Sequence, residues 1–246
     1  MVQFDIITLF PSMFESPLEE GIIRRAQNRG LIDIRIHDLR DYTEDRHRTT
    51  DDTPYGGGAG MVMKIAPIVR AIEAIRLGSK SSRTVLVTPQ GRLLKQETAG
   101  RFSVCSQVII ICGRYEGIDE RILAFVDEEI SIGDFILTGG EIAAMAVLDV
   151  TARLVPGVVG DETSVSGDTF SNSRLKYPQY TRPEKFRGMN VPEVLLSGDH
   201  QKIADWRSVE SIKRTLNRRP DLIERADLTD REIEQLENIK EGERLT

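Results

Sequence analysis

Cysteine and histidine are scarce in this 246-residue chain, which has two of the first and three of the second. Cys105 and Cys112 form no CxxC pair, and His37, His47 and His200 lie in unrelated segments, so neither a disulfide framework nor a zinc site is expected. No apolar run approaches the roughly 18 residues of a membrane span, and Met1-Val2-Gln3-Phe4-Asp5 has no basic stretch leading into an apolar one. The expectation is a cytoplasmic protein with no membrane partner. Two nucleotide signatures are also missing: the first apolar segment runs into Pro11-Ser12-Met13 rather than GxGxxG, and GxxxxGKS/T occurs nowhere. Gly56-Gly57-Gly58-Ala59-Gly60 follows a polar stretch and reads as a flexible surface turn. A net charge of −6 argues against a protein that coats nucleic acid without specificity, because such binding rests on neutralising phosphates.

What is present points to a globular fold. Hydrophobic residues make up 39% and charged ones 29%, which supplies a core and argues against wholesale disorder. The length admits one large domain, or a medium one plus a small one. Charge is unevenly spread: residues 174–219 carry eleven Lys or Arg against five Asp or Glu, and residues 220–246 carry four against nine. A basic segment followed by an acidic tail suits either an anionic partner or a pair of ordinary solvated helical faces.

Residues 2–9 read as a buried strand, 18–28 as an amphipathic helix stopped by Gly30, and 32–37 as a second strand. A helix over 66–76, a strand over 84–88, a helix over 96–102 and a strand over 107–112 follow. Then come a helix over 118–125, a short apolar run over 127–132 and a helix over 141–154. This alternation predicts an α/β fold, a mostly parallel sheet with helices on both faces. From 156 to 183 the pattern stops in a segment dense in Gly, Ser, Thr, Asp and Pro, the candidate linker. Beyond it, 192–196, 203–215 and 230–240 read as a small C-terminal helical domain.

Three of the strands are each followed by a glycine-bearing loop: Thr88-Pro89-Gln90-Gly91, Gly113-Arg114-Tyr115-Glu116-Gly117, and Gly133-Asp134-Phe135-Ile136-Leu137-Thr138-Gly139-Gly140. In parallel sheets such loops share the carboxyl edge, where ligands bind and glycine admits close approach to the main chain. Together they predict a ligand pocket. Tyr115 and Phe135 offer faces for an adenine and Glu116 an acceptor for ribose hydroxyls, although both rings would equally suit core packing.

With these segments in view, the chain resembles the bacterial tRNA (guanine-N1)-methyltransferases along nearly its whole length. The resemblance is carried, in one order, by Phe4-Asp5-Ile6-Ile7-Thr8-Leu9-Phe10-Pro11, Tyr55-Gly56-Gly57-Gly58-Ala59-Gly60-Met61, Thr88-Pro89-Gln90-Gly91, Cys112-Gly113-Arg114-Tyr115-Glu116-Gly117, Leu137-Thr138-Gly139-Gly140-Glu141, Tyr180-Thr181-Arg182-Pro183 and Gly198-Asp199-His200. It implies a deep trefoil knot in the sheet, S-adenosylmethionine bound bent in the knotted loops, and a homodimer whose active site joins the knot of one chain to the linker and small domain of the other. The implied substrate is the guanine immediately 3′ of the tRNA anticodon, position 37. The domains so implied are a catalytic one over 1–159, a linker or lid over 160–176 and a tRNA-binding one over 177–246. Family members depend on Mg²⁺, but no cluster in this sequence identifies a site for it.

Matched motif by motif, the cofactor residues implied are Thr88, Pro89, Gly113, Tyr115, Glu116, Ile132, Gly133, Phe135, Leu137, Gly139 and Gly140, and the catalytic pair is Arg153 and Asp168. The chain departs from the family pattern at Phe135 (often Tyr), Ala143 (often Pro) and Thr169 (often Ser), which removes a hydroxyl contact at 135 and predicts a looser start to the helix at Glu141. Guanine N1 carries a proton, so a base must remove it during methyl transfer, and Asp168 is the candidate. A carboxylate of pKa about 3.9 needs burial under a closed lid to serve. Arg153 would stabilise the charge left on O6. Taken alone, Asp168 between Gly167 and Thr169 also suits a turn, and Arg153 a helix C-terminus. Asp51 and Arg114 are candidate guanine or tRNA contacts, and Lys213, Arg214, Arg218 and Arg219 candidate phosphate contacts. The rival readings are a knotted methyltransferase acting on a ribose 2′-hydroxyl and a non-catalytic RNA- or nucleotide-binding module.

Overall fold

The N-terminal apolar run becomes β1 (Val2–Thr8), buried along its whole length. In the computed structural model, which describes residues 1–76, 78, 81–160, 168–170 and 172–244, the chain divides into two compact units, Met1–Gly160 and Asp161–Thr246. In the first unit β1 is followed by α1 (Glu15–Leu18), α2 (Gly21–Asn28), β2 (Ile32–Asp38), β3 (Asp51–Asp52), β4 (Val62–Met63) and α3 (Ile65–Ile75). The remainder comprises β5 (Ser82–Leu93), α4 (Gln96–Ser103), β6 (Gln107–Cys112), β7 (Glu128–Ser131) and α5 (Glu141–Ala152).

Five strands form one parallel sheet in the order β2-β1-β6-β5-β7. The two-residue period of a strand assigns its side chains to opposite faces. Phe4, Ile6, Val85, Val87, Val108 and Ile110 pack on one face with α2, α4 and α5 through Ile23, Ala26, Phe102, Ala144, Val147 and Leu148. Ile7, Leu86, Ile109 and Ile111 pack on the other with Ile68, Ala71 and Ile72 of α3. Each such fully buried side chain contributes roughly 1.5–3 kcal/mol, so both faces of β1 and β6 hold the unit together. The stop predicted at Gly30 is a helix cap: Gly30 has φ +65°, and Leu31 N–H reaches the carbonyl of Ala26 at 3.0 Å.

Two expectations need correction. The helix expected over 118–125 is a single 3-10 turn, Glu120–Ala124, opened by the Asp119 side chain accepting from Arg121 N–H. Ile118, Ile122 and Phe125 have helical spacing, but only Ile122 of the turn is buried, so packing does not extend it. The strand expected over 84–88 runs to Leu93, so the anticipated loop Thr88-Pro89-Gln90-Gly91 lies inside β5 as an excursion between two pairings with β7.

In the second unit a small hairpin, β8 (Lys185–Phe186) against β9 (Met189–Asn190), precedes a 3-10 turn at Glu193–Leu196. Then come α6 (His200–Arg218), α7 (Pro220–Ile223) and α8 (Asp230–Arg244). The sequence reading has neither the hairpin nor α7. Ile212, Leu236 and Ile239 form its core, and Asp199 caps α6 by accepting from Lys202 N–H at 3.1 Å. The lid expected over 160–176 includes residues 161–167 and 171, which lie outside the described residues. Among the described residues no helix is long and apolar enough to cross a membrane.

The sheet also holds a buried charge. Asp5 has no exposed surface and meets His37 Nε2 at 2.8 Å, Gln107 Nε2 at 2.6 Å and Gln3 Nε2 at 2.8 Å, with Tyr42 on the other nitrogen of His37. Burial pushes the Asp5 carboxyl up, but the bonds from His37, Gln107 and Gln3 outweigh it and hold it below its ordinary 3.8. A depressed carboxylate adds stability above its unfolded pKa and loses it as pH falls through the folded value. Asp5→Asn is therefore expected to cost about 3 kcal/mol at pH 7, with the gap to wild type narrowing below pH 3.8. Denaturant midpoints at neutral and acid pH check this. A gap that stays constant with pH would exclude Asp5 ionisation as its source.

Candidate active site

Because β6, β5 and β7 are adjacent and parallel, the segments at or beyond their carboxyl halves converge. They enclose a cavity of about 560 Å³, within the range of small-molecule sites. All eleven cofactor residues expected from the motifs line it: Thr88 and Pro89 from β5; Gly113, Tyr115 and Glu116 after β6; Ile132, Gly133, Phe135, Leu137, Gly139 and Gly140 after β7.

Glycine is required where these segments touch. A Cβ on Gly140 would lie 2.8 Å from Val87 Cγ2 and 2.9 Å from both Cys112 Cα and Gly113 N, because Gly140 N–H donates to the Gly113 carbonyl at 2.9 Å. A Cβ on Gly91 would lie 2.5 Å from the backbone of Glu129 and Ile130. Tyr115 sits at φ +62°, a conformation that bulky residues adopt only when their surroundings impose it. Tyr115 and Phe135 are about half exposed, at 50% and 52%, and both line the cavity.

Beneath the cavity lies a polar group that the sequence reading quotes only as part of a motif. Glu141, the first residue of α5, is fully buried. Thr8 Oγ1 donates to it at 2.9 Å, and Arg114 reaches it through Nε at 3.2 Å and Nη2 at 3.1 Å. The Arg114 guanidinium lies 4.1 Å from the centre of the Phe10 ring. A glutamate directly after two glycines at a helix start is the one local sign of this role. These contacts tie the first residue of α5 to β1 and to the loop after β6. Burial and the charge of Glu141 push the Cys112 thiol well up, so it is no nucleophile.

Gly56–Gly60 is exposed throughout, as a surface turn should be, and its last residue abuts Glu116. A Cβ on Gly60 would lie 2.5 Å from Glu116 Cγ, and Glu116 N–H donates to the Met61 carbonyl at 3.0 Å. Asp51 lies on β3, paired in register with Met63 of β4, whose N–H donates to the Gly117 carbonyl at 2.9 Å. Both segments therefore brace the wall carrying Tyr115 and Glu116.

Arg153 caps the C-terminus of α5, half-buried, and does not line the cavity. Asp168 belongs to the second unit, with Lys176 Nζ 3.1 Å from Oδ1. It shares a smaller cleft of about 210 Å³ with Arg174, Tyr177, Arg207 and Glu232. Of the expected phosphate contacts, Arg218 is exposed on α6, Lys213 has Glu210 at 3.5 Å, Arg214 donates to the Lys176 carbonyl at 3.4 Å, and Arg219 is forked onto Asp221 at 2.8 Å. Among the described residues no group of three or more His, Cys, Asp or Glu could hold a metal ion.

Comparison with known proteins places the chain in a family. A sequence profile of the family described as tRNA (Guanine-1)-methyltransferase TrmD matches residues 2–225. A curated relative from Geotalea uraniireducens, named tRNA (guanine-N(1)-)-methyltransferase, is 52% identical over 240 residues, covering 97% of each chain. Proteins of the same name from Dictyoglomus turgidum and Geobacillus kaustophilus are 49% and 50% identical, covering 98% and 96% of this chain and 97% of each relative. The chain belongs to the tRNA (Guanine-1)-methyltransferase family.

Proposed function

We propose that this chain methylates N1 of the guanine immediately 3′ of the anticodon in tRNA, in the cytoplasm, using S-adenosylmethionine. The observation that carries the proposal is that all eleven residues matched to cofactor binding line one cavity in a chain of this family. S-adenosylmethionine supplies an electrophilic methyl group when bound. The aromatic faces of Tyr115 and Phe135 suit its adenine, and Glu116 can accept from its ribose hydroxyls. The trefoil knot expected of the family would bend it within these loops.

The chain's own part is alignment and proton transfer. Asp168 takes the proton from guanine N1, and Arg153, through its guanidinium, offsets the negative charge that develops on O6. The glycine-dense walls hold the reacting groups in line. Lys213, Arg214, Arg218 and Arg219 offer cations for tRNA phosphates. The deciding experiment is radiolabelled methyl transfer to tRNA transcripts with and without the target guanine, followed by mass analysis of the nucleoside. A labelled ribose, or label independent of that guanine, overturns the assignment.

The proposal includes a homodimer with shared active sites, because Asp168 lies in a linker segment and not in the loops around the cavity. Mixing an Asp168→Ala chain with a Gly140→Trp chain is expected to restore part of the activity that each lacks alone. No rescue in verified heterodimers, or a monomer by light scattering, would count against sharing.

A further inference from the structure

A fully buried carboxylate is retained only if charge and hydrogen bonds replace the water it has lost, and Glu141 is so placed without a part in the proton transfer above. Its three donor groups come from two distant segments. Thr8 Oγ1, at the end of β1, itself accepts from Phe10 N–H at 3.0 Å. Arg114, in the loop after β6, gives Nε to both carboxylate oxygens at 3.2 Å and Nη2 to Oε2 at 3.1 Å. The guanidinium is thus fixed along one edge by Glu141 and across one face by the Phe10 ring at 4.1 Å. The pair packs directly on Gly139, where a Cβ would lie 2.5 Å from Glu141 Oε2 and against Arg114 Nε. Arg114 and Gly139 both line the cavity. Among the described residues Nη1 of Arg114 has no hydrogen-bond partner.

We infer that Glu141 is a positioning residue: by holding Nε and Nη2 of Arg114, it fixes the remaining N–H edge of that side chain for an oxygen acceptor on the ligand in the cavity. The inference rests on the methyl transfer proposed above. The acceptor is a partly or fully charged oxygen, either the carboxylate of S-adenosylmethionine or O6 of the guanine. A guanidinium suits this because one edge can be spent on a protein carboxylate while the other stays free to donate, which an ammonium cannot do in a fixed plane.

The test is a double-mutant cycle in the full chain with Arg114→Gln, Glu141→Gln and both together. It reads S-adenosylmethionine affinity by calorimetry, kcat and KM for tRNA, and the thermal midpoint. Each single variant should lower kcat/KM by about tenfold or more, and the double should be no worse than Arg114→Gln alone. A loss of cofactor affinity identifies the acceptor as the carboxylate, and a loss confined to the tRNA terms identifies it as the guanine. If Glu141→Gln does not fold, Arg114→Lys decides: it keeps a charge beside Glu141 without the second edge, so the same loss is required and wild-type kinetics overturn the inference. Additive losses around the cycle, or unchanged affinity and rates in Arg114→Gln, also overturn it. If the wild-type chain methylates no guanine, the proposed function fails instead, and the cofactor-affinity arm still judges Glu141.

Discussion

Replacing Asp168 with asparagine is expected to lower single-turnover methyl transfer by about 10²–10⁴-fold, the range for loss of a positioned proton acceptor, while S-adenosylmethionine affinity stays unchanged. The substitution is nearly isosteric, and the amide oxygen can still accept from Lys176, whose Nζ lies 3.1 Å from Oδ1. The contact of the neighbouring Thr169 hydroxyl with Lys176 N–H at 3.2 Å is untouched. What the amide cannot do is take the N1 proton as the methyl group moves. Asp168 is also not among the residues lining the 560 Å³ cavity, which is why cofactor affinity and rate should separate. Calorimetry and rapid-quench rates on the same preparation check both halves, and near-normal rates would remove Asp168 from the mechanism.

Gly140→Ala is expected to weaken S-adenosylmethionine binding by about a hundredfold or more. Its backbone, at φ −76°, suits alanine, so strain is not the cause. The new Cβ would stand 2.8–2.9 Å from Val87, Cys112 and Gly113. Two of those contacts are backbone of the central sheet and its first loop, which cannot rotate away. The wall of the cavity must then shift, and overpacking of this kind costs about 1–3 kcal/mol in stability as well. The paired readout is cofactor affinity against thermal midpoint. Wild-type affinity in a folded Gly140→Ala protein would place the cofactor elsewhere.

Much of the first unit is legible because its signals are local. β6 is found at its expected residues 107–112, and β1 and α4 within one residue, since an unbroken apolar run and a 3.6-residue stripe report directly on burial. The glycine loops also advertise a pocket, and Tyr115, Phe135 and Glu116 stand out within them, whereas the other cofactor residues, Arg153 and Asp168 come from family resemblance. What escaped depends on partners remote in sequence. Asp5 in an apolar strand looks like a defect until His37 and Gln107, 32 and 102 positions away, come to meet it. Glu141 looks like an ordinary acidic first turn until Thr8, 133 positions away, donates to it. The extension of β5 to Leu93 depends on a second pairing with β7, and Pro89 and Gly91 argue against a strand by propensity alone.

That second pairing bears on the thermodynamics of ligand capture. Val87 and Arg92 both pair with Ile130, and Leu94 N–H continues the ladder to the Ser131 carbonyl at 2.8 Å. The excursion carrying Thr88 and Pro89 is thus sewn to the same edge strand at both ends, and cannot open as an ordinary loop does without first unzipping β7. Its conformational entropy is lost when the sheet forms and not when ligand arrives. This wall should therefore be equally rigid empty and filled, with slow amide exchange flanking the excursion in the apo protein. The heat-capacity change on cofactor binding should then match the apolar surface covered, with no added contribution from a segment that folds on contact.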